Sequence, residues 1–186
     1  VSDTAWFDLF VRDAFFVLLF IAAVYDIVSL RLPNALNGAL FLLFFPAAVG
    51  AGLGALDWLS HLGGFVATLC FTALGFHFRI IGGGDAKLLA VGALWTGIWP
   101  IGFYLLAVAL LGGVVAVVFW ALRKALAMAL VARGSQRSGA HLPEILLDGA
   151  GVPYGVAIAA GLALTALAPP LWFGDLHAVF FTYFHK

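Results

Sequence analysis

Charge is what this chain has least of. Only 10% of its residues are Asp, Glu, Lys or Arg, where a water-soluble domain of this size carries roughly 25%. An ordinary soluble fold is thereby excluded. The nine basic and nine acidic residues balance. No basic surface is left over for nucleic acid, and nucleic acid is not expected as a partner. Cysteine is nearly absent. The single Cys70 excludes an internal disulfide and a paired-cysteine zinc site. It reads as a small buried apolar residue. The first residues also lack the basic start of a cleavable signal peptide, since they carry Asp3, Asp8, Arg12 and Asp13. No sequence repeat and no soluble domain can be picked out.

What is present is apolar surface: 65% of the 186 residues are hydrophobic, and the mean hydropathy is +1.13. The apolar runs are long and continuous, which suits membrane helices and not the alternating strands of a barrel. The fold class expected is all-α: one polytopic membrane domain over residues 1–186, with six transmembrane helices and the lipid bilayer as its surroundings. The first run, about Ala14–Tyr25, extends back toward Trp6 and forward to Leu30, long enough to span at ~20 residues. A turn, Ser29-Leu30-Arg31-Leu32-Pro33-Asn34, leads to a second run, Ala35 to about Leu53. Pro33 suits the first turn of a helix, where its missing N–H costs nothing. The third run is Leu59–Phe78, closed by Arg79. The fourth, about Ile80–Ile98, spans only if Gly82-Gly83-Gly84 is counted in, so an irregular Gly-rich lead-in at membrane depth is expected there. The fifth is Ile101–Leu122, ended by Arg123-Lys124. A mixed cytoplasmic loop, about 125–151, precedes the sixth, Val152 to about Leu171.

The lysines and arginines set the orientation. Arg31, Arg79, Lys87, Arg123, Lys124, Arg133 and Arg137 fall on one side; Arg12 and Lys186 fall on the other. This asymmetry puts both termini outside and the three basic connections in the cytoplasm. Trp6, Trp58, Trp95, Trp99 and Trp172 then lie near the outer ends, as an interfacial aromatic belt would.

Parity brings two acids together. The first span runs inward, so Asp26 is at its inner end. The fourth starts inside, so Asp85 is at its inner start. Asp57 and Asp175 fall outside; Glu144 and Asp148 fall in the loop. An ionisable group near membrane depth costs about 2.5–3.5 kcal/mol on insertion scales, which marks both aspartates as functional. Paired carboxylates can hydrolyse a peptide without a metal: one takes a proton from water while the other, protonated, polarises the scissile carbonyl. Such a pair shares a proton and titrates as a unit. The glycines would let an extended peptide pair with open backbone beside Asp85. No metal and no cofactor is expected.

These residues resemble a known family. Asp26 followed by Arg31-Leu32-Pro33-Asn34 resembles the D-x-x-x-x-[RK]-[IL]-P-N segment of type IV prepilin peptidases. Gly82-Gly83-Gly84-Asp85-Ala86-Lys87-Leu88 resembles their G-x-G-D-x-K-L motif. Val152-Pro153-Tyr154-Gly155 resembles the P-[YF]-G segment that opens their last span. The resemblance implies a GxGD intramembrane aspartic endopeptidase with Asp26 and Asp85 as the catalytic pair. It implies prepilin or pseudopilin substrates, with a short basic leader before an apolar helix, cut at the cytoplasmic face of the inner membrane. The larger members carry a Cys-rich cytoplasmic domain near the N-terminus and also N-methylate the product. Here about 13 residues precede the first run, so the short form is expected, similar to the peptidases of tight-adherence (Flp-type) pili and of preflagellins, without methyl transfer.

Around the pair, Gly82, Gly83, Gly84, Lys87, Arg31, Pro33, Asn34 and Tyr154 are candidates for substrate binding or support. Each also has a plainer role. Lys87 snorkels, Arg31 anchors the inner face, Pro33 and Asn34 shape the turn, and Gly155 and Gly161 allow close helix packing. His77, near Arg79, is read as interfacial. His141, Glu144 and Asp148 read as a polar helix face before a metal set. Two rival functions are a presenilin or signal-peptide-peptidase-like protease, suggested by Tyr25-Asp26, and a proton-coupled transporter or channel using the two aspartates as relay groups.

Overall fold

The computed structural model describes residues 5–132 and 151–167. They form six helices and no strand: α1 (Ala5–Ser29), α2 (Asn34–Gly50), α3 (Ala55–His77), α4 (Gly83–Thr96), α5 (Ile101–Ala132) and α6 (Tyr154–Leu167). The expectations placed on Arg133, Arg137, His141, Glu144, Asp148, Trp172, Asp175 and Lys186 lie outside the described residues.

The molecule is built around α4. Ala86, Leu88, Ala90, Val91, Gly92, Ala93, Leu94, Trp95 and Thr96 are all buried, so beyond its first turn this helix is covered on every side. Helices α2, α3, α5 and α6 pack on it. Its small residues permit this: Gly92 faces the Tyr104 ring of α5. Fourteen residues rise about 21 Å at 1.5 Å each, less than the ~30 Å of a bilayer core. Helix α1 reaches the centre through Val11, Phe15, Leu19, Ala22 and Asp26, all buried. Their spacing of three or four is one helical face, and Asp26 closes it. Helix α2 does the same with Asn37, Leu40, Phe44, Ala47 and Ala48. Phe15 and Phe44 pack against the Trp95 ring, with centroids 4.6 and 5.7 Å away. Its indole N–H donates to the Leu40 carbonyl at 3.0 Å. Trp95 is therefore a core residue and not part of an aromatic belt. Trp6, Trp99 and Trp120 are exposed.

The outer surfaces are apolar. Phe71, Leu74, Leu110, Val114, Val117 and Met128 are each more than half exposed. A soluble monomer rarely shows so much apolar area. Helices α3 and α5 are long and apolar enough to cross a membrane; α2 and α6 are apolar but shorter. Helix α1 has the length, yet carries Asp8, Arg12, Asp13 and Asp26. Cys70 is exposed on α3, where a small buried residue was expected. Helix α5 also differs from expectation, continuing through Arg123-Lys124 to Ala132. Lys124 lies over the Trp120 ring at 5.8 Å, and Arg123 donates to the Gly151 carbonyl at 2.7 Å. Both charges are accommodated from the side, and Ala, Leu and Met carry the helix onward.

The glycine motif is more helical than its sequence suggests. Gly82 caps α4, and Gly83 and Gly84 are already in its first turn. The irregular backbone lies just before them. Arg79 takes a left-handed φ of 58°, with its N–H on the Phe76 carbonyl and the Ile80 N–H on the Gly75 carbonyl. This pair of bonds is the Schellman closure of a helix, with arginine where glycine is usual.

Candidate active site

Asp26 stands in the last turn of α1, 4% exposed. Its Oδ2 accepts the Gly155 N–H at 2.6 Å, and the Val156 amide lies beside it. Gly155 is the second residue of α6, whose first N–H groups have no partner within their own helix. The carboxylate thus seats on the positive end of α6, and a buried acid finds a donor 129 residues away. Only glycine fits at this approach. A Cβ on Gly155 would stand 2.8 Å from Asp26 Oδ2, 2.9 Å from its Cγ and 2.9 Å from Leu32 Cδ1.

Asp85 is the third residue of α4 and half-buried. It folds back over the helix start: a Cβ on Gly82 would lie 2.9 Å from its Oδ2. The surroundings of the two acids meet at one residue, Leu32. Leu32 packs between their supports. It touches Gly155 on one side, and on the other a Cβ on Gly84 would meet Leu32 Cβ at 2.9 Å and its backbone O at 3.2 Å. Glycine at 84 serves a close approach of two backbones.

The two N-terminal motifs interlock. Lys87 donates to Asn34 Oδ1 at 2.8 Å on the surface. Asn37 donates to the Gly84 carbonyl at 3.2 Å. From α3, the Thr72 hydroxyl lies 2.8 Å from the Thr68 carbonyl of its own helix and 3.2 Å from the Ala86 carbonyl. Pro33 caps α2 in extended conformation, and Arg31 is exposed. Leu30, one turn past Asp26, takes a φ of 52° and binds back to the Asp26 carbonyl at 2.9 Å. Tyr154 is 45% exposed, with its ring against Gly112 of α5. An open cleft of about 460 Å³ adjoins the cap of α4, lined by Phe76, His77, Arg79, Ile80, Ile81 and Gly82. His77 and Arg79 are exposed there. The N–H groups of Arg79, Ile80 and Ile81, just before the glycines, close α3.

The structure thus groups Asp26, Asp85, Gly82, Gly83, Gly84, Lys87, Pro33 and Asn34 around one end of the bundle. Gly155, Leu32 and Asn37 belong to the same place and were not singled out as site residues. The signal for Asn37 is a polar residue in an apolar stripe. The signal for Gly155 is its place just inside the first turn of α6.

A family model for the type IV leader peptidase family matches residues 14–117, more than half of the chain. The chain belongs to that family. As a type IV leader peptidase it is a protease, and its family's substrates are prepilins in general. The matched segment holds both aspartates, the Arg31–Asn34 turn and the glycine run, and ends before Tyr154 and Gly155. No curated protein and no solved structure matches the chain.

Proposed function

We propose that this leader peptidase is an intramembrane aspartic endopeptidase with Asp26 and Asp85 as its catalytic pair. The carrying observation is that the two acids, from helices far apart in sequence, are brought to one residue: Gly155, which holds Asp26, and Gly84, which precedes Asp85, both close on Leu32. One carboxylate takes a proton from water, and the oxygen attacks the scissile carbonyl. The other carboxyl, protonated, donates to that carbonyl oxygen. The tetrahedral intermediate then collapses, and the departing amine takes up a proton. No metal and no cofactor enters this scheme.

The proposed substrate is a type IV or Flp-type prepilin, or a pseudopilin, whose short basic leader is removed at the cytoplasmic face of the inner membrane. Six spans with both termini outside are proposed, within one domain. Three contacts support the shared face. Asp26 meets Gly155, Lys87 meets Asn34, and Arg123 meets Gly151, joining the end of α1 and the second half of α5 with the starts of α2, α4 and α6. The 186 residues on their own are proposed to cleave without methylating. The test is incubation of the purified protein with a leader-bearing prepilin in the presence of S-adenosylmethionine. Loss of the leader mass with a free new N-terminus is expected. An uncut substrate would contradict the peptidase reading, and a methylated product the narrower one.

A further inference from the structure

Asn37 is out of place in its own helix. It opens the buried stripe that continues through Leu40, Phe44, Ala47 and Ala48, and an apolar side chain would fit that register. It is 4% exposed. Its Nδ2 donates to the Gly84 carbonyl, while its Oδ1 is buried with no partner among the described residues. The orientation of the amide is fixed by that bond, since the flipped form would set two oxygens against each other. A buried acceptor without a donor is costly, and replacing such a group with an apolar one of like shape is often neutral or favourable. Packing therefore does not account for Asn37. What the amide does reach is the peptide carbonyl immediately before Asp85.

We propose that Asn37 is a positioning residue for Asp85, fixing the first turn of α4 through the Gly84 carbonyl so that the carboxyl meets Asp26 in a set geometry. Three features agree with this role. Gly84 is pressed against the Leu32 backbone on its other side, so the turn carrying Asp85 is gripped from α2 and from the α1–α2 turn together. A second polar group at this turn, the Thr72 hydroxyl, lies 3.2 Å from the carbonyl of Ala86, the residue immediately after Asp85. Asn37 comes from the same helix as Asn34, which holds Lys87. A misplacement of about 1 Å at a reacting group can cost a hundredfold in rate, so a small slackening here is large in its effect. The inference rests on Asp26 and Asp85 being the reacting pair.

The test compares Asn37→Leu with wild type, both purified in detergent, on the leader-bearing prepilin. The leucine keeps the volume and removes both amide groups. The expected result is a kcat lower by tenfold or more, a KM within twofold, and a thermal midpoint unchanged or raised. A purely structural asparagine would give the reverse: a lower midpoint with kcat retained per folded molecule. Should the leucine variant not fold, Asn37→Ala decides: a kcat per folded molecule lower by tenfold or more with KM within twofold is expected, and a retained kcat overturns the proposal. An inactive wild type would instead remove the dyad reading beneath it.

Discussion

At the scale of single residues, the site depends on absent side chains as much as on present ones. Gly155 is the sharpest case, because its N–H holds Asp26 and a methyl there would strike the same carboxylate. Gly155→Ala should lower the cleavage rate about tenfold or more, because overpacking displaces its neighbours and the neighbour here is a reacting group. Gly102 and Gly113 on α5 have open space where a Cβ would go, so alanine at either should leave the rate within twofold. Equal rates for all three variants in a prepilin cleavage assay would count against the seating of Asp26 on α6. Lys87→Ala removes one exposed hydrogen bond, with a net worth of about 0.5–1.5 kcal/mol. Its effect on rate should be milder than that of Gly155→Ala, and Arg31→Ala milder still.

At the scale of the helices, the sequence reads well along the chain and poorly around it. Each helix falls on one of the apolar runs, with α5 running on past Arg123-Lys124, and Asp26 and Asp85 lie in the last turn of α1 and the first turn of α4. Position along a helix follows from counting residues, so it was legible. Direction around a helix follows from neighbours, so Trp95 was misplaced: its place near the end of α4 suits a belt, but Phe15 and Phe44 make it core. Gly83 and Gly84 have poor helix propensity, and tertiary contact with Leu32 and Phe76 overrides it. The Asp26–Gly155 bond could not be read from spacing at all, since it is made only when α1 and α6 pack. A further element-level consequence concerns the far end of α4. Gly97 closes it at φ 75° and ψ 177°, a region open essentially to glycine alone. A Cβ there would also meet Ser60 Oγ at 3.1 Å. Gly97→Ala should cost about 1–3 kcal/mol of stability, read as a lower denaturation midpoint. Activity per folded molecule should persist, because Asp85 is at the opposite end of the helix.

At the scale of the whole molecule, the fold turns a membrane chain inward around one short helix and leaves large apolar side chains outside. The proposed orientation predicts an accessibility pattern in intact cells. Cys70 is exposed, so the background must be Cys70→Ser. In it, Ala35→Cys at the start of α2 should be protected from an impermeant thiol reagent, and Ala55→Cys at the start of α3 should react. Labelling of residue 35 from outside would reverse the proposed topology. The fold's central consequence is that α1 and α4 deliver one carboxyl each to the same end of the bundle. Such a pair should give a bell-shaped rate against pH whose two limbs belong to the pair and not to either aspartate. The most direct test is substitution of the pair itself. In Asp26→Asn the amide oxygen can still accept the Gly155 N–H, and in Asp85→Asn the shape is kept, so expression and folding should survive. Each single variant should lose prepilin cleavage by about a thousandfold or more, since neither amide can act as general base. The double variant should be about as inactive as either single, as expected for groups that work as one unit. A correctly inserted Asp26→Asn or Asp85→Asn protein that cleaves prepilin near the wild-type rate would contradict the account.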